Sequence, residues 1–552
     1  VESLCPGAWD DPVLQAGSTV HLPPDQGCLN KRFLYKVHIP DLEGLWHPLV
    51  HRPCLHNEAA AVLHRVLAPV PDPTPHGLVI FQAAMGRLRS ALRRGGVVRR
   101  WSLDEVVSCY SGSKRKRYEA ARETLTHRLS TARDAEIRAF VKCEKFGSNK
   151  VTRPPRLIQG RAPEFNLELF QWYKPFEQRL YSLGVPLSLS GVPTKTRFIA
   201  KGMNEKQRAA LVLHKMESIP DCAVIGLDAS AFDAHVNVPM LRSEHKTIMA
   251  VCGQDERLRW LLSQQLETYG RTPQGVRYTR VGGRCSGDDN TGGGNSLLMG
   301  AMSIAACGEL GIRPFDLMVD GDNTLIFLPN AMVASALAGL PAIFEEMGHE
   351  VKVESVATRA EQVEFGQCRP VHSSVGWKMV RNPLRTLARA CSSAVHFHEP
   401  RGGLRVLKTV AMGELALNRG VPVLQPYFAA ILEELRDVEH MDPMKLGISG
   451  HLYSLGAFDT RAWLERRTAP ITVEARLSFE AAWGIDPEEQ LLAEQIVSAG
   501  VKGRIRLDSI PEIVMADVME SSLGCGIPAA RPGHAAYSVP QTAWERRYEV
   551  SS

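Results

Sequence analysis

Residues 317–329 read LMVDGDNTLIFLP. One apolar run climbs to Asp320-Gly321-Asp322-Asn323 and a second leaves it. Gly and Asn accept the positive φ that a tight turn needs, and the flanking Val, Leu, Ile and Phe favour extended backbone. The pattern therefore predicts a β-hairpin with an acidic tip. A literal Gly-Asp-Asp stands upstream at Gly287-Asp288-Asp289, but no apolar strand leads into it and a helix follows. Of the two, only the later turn is carried on strands.

Two further stretches bear on that hairpin. In VIGLDASAFDAHV, Asp228 ends an apolar strand and Asp233 follows at the head of the next element. A carboxylate at a strand end meets solvent ions while its strand stays buried. In GGRCSGDDNTGGGNSLLMGAM, the glycines at 282, 283, 287 and 292–294 predict a loop able to approach a ligand, with an apolar helix from about Ser296. Ser286, Thr291 and Asn295 supply short hydrogen-bonding groups there; the lysine of a P-loop is missing. Each pattern alone is common in turns and caps. Their order, with 58 residues from Asp228 to Ser286 and 36 from Ser286 to Asp322, makes a joint signal.

The bulk numbers fit a large globular protein: 552 residues, 44% hydrophobic and 23% charged. Twelve cysteines without a Cys-x-x-Cys pair suggest neither a disulfide framework nor a zinc ribbon, and reduced thiols are expected. No uninterrupted apolar run reaches transmembrane length and no signal peptide is evident. The chain opens on Val1, which fits a processed product or a portion of something longer, so a membrane anchor could lie outside it. Charge is uneven. Met85 to Arg161 carries 20 Lys or Arg against 7 Asp or Glu, a surplus of 13; with +5 overall, the rest of the chain carries −8. Where acids alternate, as in RYEAARETLTHRLSTARDAEIRAF, a solvated helix face explains the charge equally well. In SGSKRKRY and KCEKFGSNKVTRPPRLIQGR acids barely intervene, which points to a polyanionic partner.

The texture changes along the chain. Residues 1–79 are Pro- and His-rich with short extended runs. Helical periodicity dominates to about Glu217. From Asp221 strands and helices alternate: CAVIGLD, DLMVD, TLIFLP, HEVKVESV and EQVEFGQCRPV read as strands, and AMVASALAGLPAIFEEMG as a helix. After about Val371 the pattern is helical again, and the end reads as an irregular tail. An α+β core between two helical regions is the expectation.

These residues carry a resemblance. Asp-x4-Asp, Ser-Gly-x3-Thr-x3-Asn and Gly-Asp-Asn resemble motifs A, B and C of viral RNA-dependent RNA polymerases, in the tombusvirus-like group of positive-strand RNA viruses. FVKCEKFGSNKVTRPPRLIQGRAPEFN resembles the basic motif F, SGSKRKRYEAA the segment before it, FEEMGHEVKVE motif D and VEFGQCRPV motif E. WKMVRNP resembles a segment that follows motif E in this group. The likeness covers roughly Ser111 to Pro383. It implies a closed right hand of fingers, palm and thumb with a mixed palm sheet flanked by helices. The expected division is an N-terminal extension at 1–79, fingers at 80–220 with an insertion at 241–281, palm at 221–240 and 282–372, thumb at 373–524 and a tail at 525–552.

The resemblance also implies roles. Asp228 and Asp322, with Asn323 beside them, would hold two Mg²⁺ ions, with Mn²⁺ an alternative. Asp233 and Asn295, helped by Ser286 and Thr291, would sense the ribose 2′-hydroxyl. Arg156 would stack on the incoming base while Lys142, Lys145 and Arg161 grip the triphosphate. Lys352 is a candidate general acid; as a solvent-facing strand residue it is equally well explained. Lys114, Arg115, Lys116, Arg117 and Gly287 are expected at RNA, with Ser286-Gly287 flexing during translocation. Implied partners are template and nascent RNA, NTPs and a viral replication cofactor protein, in replication complexes at membranes of the host cytoplasm. Membrane association would be indirect or through a missing segment. Primer-independent initiation is the family expectation.

Asn323 departs from the family pattern, in which positive-strand enzymes usually have a second Asp. Its amide oxygen coordinates weakly, so the reading adds that Asp320 partly restores the lost charge and that Mn²⁺ is tolerated or preferred. Some negative-strand polymerases carry Gly-Asp-Asn, but a Ser-Gly-x3-Thr-x3-Asn motif B is not expected of them. A catalytically impaired, RNA-binding or scaffold relative is the alternative of another class. A reverse transcriptase is disfavoured by Asp233 with Asn295 and by the lack of a Tyr-x-Asp-Asp turn. His47, His51, Cys54 and His56 could ligate zinc, but the resemblance supplies no zinc site there, and a loop of capping and packing residues is expected.

Overall fold

The computed structural model describes residues 13–505 apart from 25–33, 37–39, 43, 47, 148–152, 193–195, 394–401 and 443–466. The expected tail, His47 and part of the SNKVTRPP stretch lie outside the described residues.

Four strands form the sheet that carries the acidic turn: β1 (Cys222–Ala229), β2 (Asp316–Asp320), β3 (Asn323–Pro329) and β4 (Val351–Ala357), in the order β4-β1-β3-β2. The first three are apolar almost throughout and buried, because helices cover what an open antiparallel sheet would show to water. All pairings among the four are antiparallel, and a parallel contact is confined to a bridge between Ile199 and Val319 at the edge. The hairpin closes with two residues, Gly321 and Asp322, between the paired Asp320 and Asn323. Gly321 takes φ +70°, where a side chain would be strained. The hairpin read from the sequence is therefore present with its tip at the expected residues.

One helix, Thr291–Glu309, packs beneath this sheet and is buried along most of its length. It starts at Thr291 rather than near Ser296, and Gly292, Gly293 and Gly294 form its first turn. These glycines are packing residues, not free loop. A Cβ on Gly293 would lie 2.5 Å from the Tyr173 hydroxyl, and one on Gly294 would lie 2.6 Å from Glu244 Oε1.

The basic region contains more strand than its helical periodicity predicts. Ile137–Val141 and Leu157–Gly160 join Glu267–Arg271, Arg277–Val281 and Thr19–His21 in a five-stranded mixed sheet. IRAFV alternates buried and exposed residues, with Arg138 and Phe140 facing out. The 267–281 hairpin thus joins the basic region across the intervening chain. Helices Pro75–Arg93, Gly112–His127, Pro163–Tyr181 and Val238–Cys252 pack around one large apolar core with the helix Thr291–Glu309, while the five-stranded sheet packs on a separate cluster with Leu55–Ala61. The N-terminal part holds a helix, Leu55–Ala61, where only extended runs were expected.

Past Val371 the chain is not yet helical: Cys368–Ser373 pairs with Gly376–Arg381 as a hairpin. Helices Pro383–Ala390, Gly402–Leu417, Leu424–Glu434, Val473–Trp483 and Pro487–Val501 follow, most of them around a second core. The chain is α+β. Among the described residues no helix is long and apolar enough to cross a membrane.

Candidate active site

Sheet register assembles the centre. Asp228, the penultimate residue of β1, lies directly opposite Asn323 of β3 on one side and Lys352 of β4 on the other. Asp322 is next to Asn323 in the turn, and the Asn323 amide donates to its Oδ1 at 3.2 Å. Two carboxylates, one amide and one ammonium thus meet at one end of the sheet. Asp228, Asp322 and Asn323 are half-buried and Lys352 is exposed.

Beyond β1 the backbone turns sharply. Ala231 sits at φ +45°, a region costly for any residue with a Cβ, and the short helix Phe232–His235 begins there. That turn brings Asp233 back toward the hairpin. The side chain of Asp233 is half-buried and accepts from Asn295 Nδ2 at 2.7 Å. Burial raises its pKa, opposed by the Asn295 amide and Arg284, while Asp322 pushes it further up and Arg156 down. Asp233, Asp322 and Arg156 therefore share one electrostatic neighbourhood. Ser286 donates to the Leu157 carbonyl at 2.8 Å and Thr291 to the Cys285 carbonyl at 2.8 Å. Gly287 lies against the Leu157–Gly160 strand so closely that a Cβ would meet the Gln159 carbonyl carbon at 2.6 Å.

Lys142 and Arg156 flank Glu144, at 3.2 Å and 3.6 Å, with both cations partly exposed. Lys145 and Arg161 do not join them. Arg161 is buried, paired with Asp288 at 3.0 Å, and also donates to the Ala135 carbonyl at 2.5 Å. Its donors are occupied within the fold, which leaves the expected triphosphate grip without a free guanidinium. Lys145 donates to the carbonyls of Arg389 and Ser392, at 2.7 Å and 2.8 Å, while Arg389 donates back to the Lys145 carbonyl. Burial and the neighbouring Arg389 push the Lys145 ammonium down to about 8. It fastens the basic region to the end of the helix Pro383–Ala390.

The upstream Gly-Asp-Asp is likewise structural. Asp288 is the buried partner of Arg161, and Asp289 binds Lys114 at 3.1 Å and the Tyr118 hydroxyl. Of the cluster expected at RNA, Lys114 is thus tied to Asp289 and Arg115 to Glu119 at 2.9 Å, both half-exposed, while Lys116 and Arg117 are exposed.

Asp320 does not supply the missing charge. Its Oδ1 binds Lys201 at 2.5 Å and its Oδ2 binds Arg208. Burial works to raise its pKa, but these two cations outweigh it and hold the carboxyl below its ordinary value. Two positive groups already neutralise it. Sequence reasoning missed another acid, Glu354, which occupies a β-bulge of β4 between Val353 and Ser355. Burial, then the charges of Asp228, Glu364 and Asp322, raise its pKa to about 7. The alternation of VKVE hides it, because a bulge re-aims one residue without changing the pattern.

Among the described residues no group of three or more His, Cys, Asp and Glu side chains is arranged to hold a metal ion. In the N-terminal His-Cys stretch, His51 stacks on Phe146 with centroids 4.4 Å apart.

Asp228, Asp233, Ser286, Asn295, Asp322 and Asn323 all fall within the span that a family model matches. The model of that family, described as viral RNA dependent RNA polymerase, matches residues 32–500. This chain belongs to the viral RNA-dependent RNA polymerases. Within that family it is 33% identical over 466 residues to the RNA-directed RNA polymerase of Tomato bushy stunt virus, covering 81% of this chain and 54% of that protein. The RNA-directed RNA polymerase of Maize chlorotic mottle virus is 31% identical over 457 residues, covering 80% and 46%. That of Carnation mottle virus is 29% identical over 474 residues, covering 85% and 59%. The chain spans about half the length of the curated relatives it matches. In this polymerase-family member the acidic hairpin, not the Gly-Asp-Asp before it, stands at the strand-borne position.

Proposed function

We propose that this chain catalyses template-directed RNA synthesis for a positive-strand RNA virus. The observation that carries the reading is the register that sets Asp228 between Asn323 and Lys352, one residue from Asp322. Relatives named RNA-directed RNA polymerase support it. In the family's terms, fingers would span 80–220 and 241–281, palm 221–240 and 282–372, and thumb 373–524, as a closed right hand.

The family depends on divalent metal, and the donor set here fits a hard cation. Asp228, Asp322 and the Asn323 amide oxygen offer oxygen ligands only. Asp228 and Asp322 would hold Mg²⁺, as a pair of ions, or Mn²⁺. When bound, the metal neutralises charge on the reacting phosphate and activates the 3′-hydroxyl.

In the reaction, the 3′-oxygen of the growing strand forms a bond to the α-phosphorus of an NTP. The bond from that phosphorus to the bridging oxygen breaks, and pyrophosphate leaves. Lys352, exposed beside Asp228, is the group to hand a proton to it. Asp233 accepts from the ribose 2′-hydroxyl and Asn295 holds Asp233. Arg156 and Lys142, partly exposed beside Glu144, meet the base and phosphates. Lys116 and Arg117 offer charge to template and product RNA. A replication cofactor protein, membrane-bound replication complexes in the host cytoplasm and primer-independent initiation belong to the same proposal.

The test is incorporation of NTPs on a defined RNA template with Mg²⁺ or Mn²⁺, wild type against Asp228→Ala. Template-dependent product that Asp228→Ala abolishes is expected. Folded wild type that binds RNA but makes no product with either metal would overturn the proposal and favour the scaffold reading that Asn323 raises.

A further inference from the structure

Behind the Asp233–Asn295 pair lies a buried ion pair that neither the motifs nor the reaction uses. Arg284 Nε donates to Asn295 Oδ1 at 2.9 Å, and the Arg284 backbone N–H donates to the Asp233 carbonyl at 2.7 Å. The guanidinium binds Glu244, a residue of the helix Val238–Cys252, through Nη2 to Oε2 and through Nη1 to Oε1 at 3.4 Å. The two side chains are 2% and 0% exposed. The glycine at 294 makes room: a Cβ there would lie 2.6 Å from Glu244 Oε1 and 2.7 Å from Arg284 Nη2.

The chemistry of an amide gives this arrangement a consequence. Asn295 can present its oxygen or its NH₂ in either of two flipped orientations. Arginine donates only, so Arg284 Nε–H donates to the amide oxygen and excludes the NH₂. The NH₂ is then committed to Asp233, whose carboxylate can only accept. In the flipped orientation N–H would face N–H, and the amide oxygen would face the carboxylate. Arg284 thereby fixes a donor and an acceptor side by side, a match for one hydroxyl group. Glu244 balances the guanidinium, so the negative charge of Asp233 is not spent on Arg284 alone.

We propose that Arg284, held by Glu244, is the positioning residue that sets how strictly this site demands a ribose 2′-hydroxyl. The proposal rests on the reading of Asp233 and Asn295 as the ribose sensor. Loss of the Nε donor lets Asn295 flip, the hydroxyl is then no longer uniquely recognised, and 2′-deoxynucleotides gain on ribonucleotides.

The experiment measures kcat/KM for ATP and for 2′-deoxyATP in single-nucleotide extension on a defined RNA template. Arg284→Lys keeps the charge beside Glu244 but lacks the fixed donor; Gly294→Ala keeps both charges and is a second, independent perturbation, crowding the ion pair with a Cβ 2.6 Å from Glu244 Oε1. Each is expected to lower the ATP/2′-deoxyATP ratio about tenfold, the equivalent of one hydrogen bond, mainly through a higher KM for ATP. The double variant with Asp233→Ala should discriminate no worse than Asp233→Ala alone. Equal losses for both substrates, with the ratio unchanged in folded protein, would overturn the proposal and leave Arg284 merely structural. If Asp233→Ala abolishes discrimination and the Arg284 and Gly294 variants do not, this proposal alone falls. If Asp233→Ala leaves discrimination intact, the ribose-sensor reading falls and takes the proposal with it.

Discussion

Restoring a carboxylate at the hairpin, Asn323→Asp, separates charge from shape at the reacting centre. Asn323 donates to Asp322 Oδ1 at 3.2 Å, so the change first removes one hydrogen bond to a charged acceptor. Such bonds contribute about 1.5–3 kcal/mol, and this half-exposed one belongs at the low end. The change also places a third negative charge beside Asp322 and opposite Asp228. At about 4 Å and an effective dielectric constant of roughly 40–80, each new repulsion costs about 1–2 kcal/mol. The metal-free variant should therefore be less stable than wild type by about 3.5–5.5 kcal/mol. A divalent cation reverses the sign, because it binds the folded site and turns repulsion into coordination. The assay is thermal unfolding in EDTA and across a Mg²⁺ titration. The variant should melt below wild type in EDTA, and the gap should close or invert as Mg²⁺ rises. Equal melting in EDTA, or a deficit that Mg²⁺ leaves untouched, would refute the account of this turn as a cation site.

The remaining expectations concern charges at and around the centre. Glu354→Gln should stabilise the metal-free protein above pH 7. The folded pKa is raised from 4.5 to about 7, so stability falls as pH climbs through that window. With the group partly exposed, a gain of roughly 1–2 kcal/mol at pH 8 and none at pH 4 is expected in denaturant melts. Asp288→Ala strands the Arg161 guanidinium in the core and should cost about 3–5 kcal/mol, read from the urea midpoint. Asp320→Asn should weaken its contacts with Lys201 and Arg208 and lower the melting point. The metal dependence of activity should stay unchanged, and an altered metal requirement would return Asp320 to the centre. Wild type is expected to incorporate NTPs at least as well with Mn²⁺ as with Mg²⁺, and Asn323→Asp should narrow any preference for Mn²⁺.

The hairpin, the strand that carries Asp228 and the apolar body of the helix Thr291–Glu309 were legible because each is written in local periodicity and turn chemistry. The Gly-Asp-Asp resolved for the same reason: no apolar strand leads into it. What stayed hidden depends on distance along the chain. Arg161 reads as one more cation in a basic block, and only folding brings Asp288, 127 residues away, against it. Lys145 is hidden likewise, its carbonyl partners lying 244 and 247 residues on. Glycines 292–294 suggested loop because glycine is permissive, whereas here the absent Cβ admits Tyr173 and the Glu244–Arg284 pair. Strands Ile137–Val141 and Leu157–Gly160 lie in charged, helix-like surroundings, and their identity comes from pairing with each other and, for Ile137–Val141, with Gly270 and Arg271.

The fastening at Asp288 and Asp289 has a consequence for inheritance. Arg161, Lys114 and Tyr118 are encoded far upstream of the acids that hold them. A genetic crossover falling between codons 161 and 288 would unite the basic partners of one parent with the loop of another. Such recombinants keep the Arg161 guanidinium paired only when the incoming loop carries an acid at position 288, more than a hundred codons downstream.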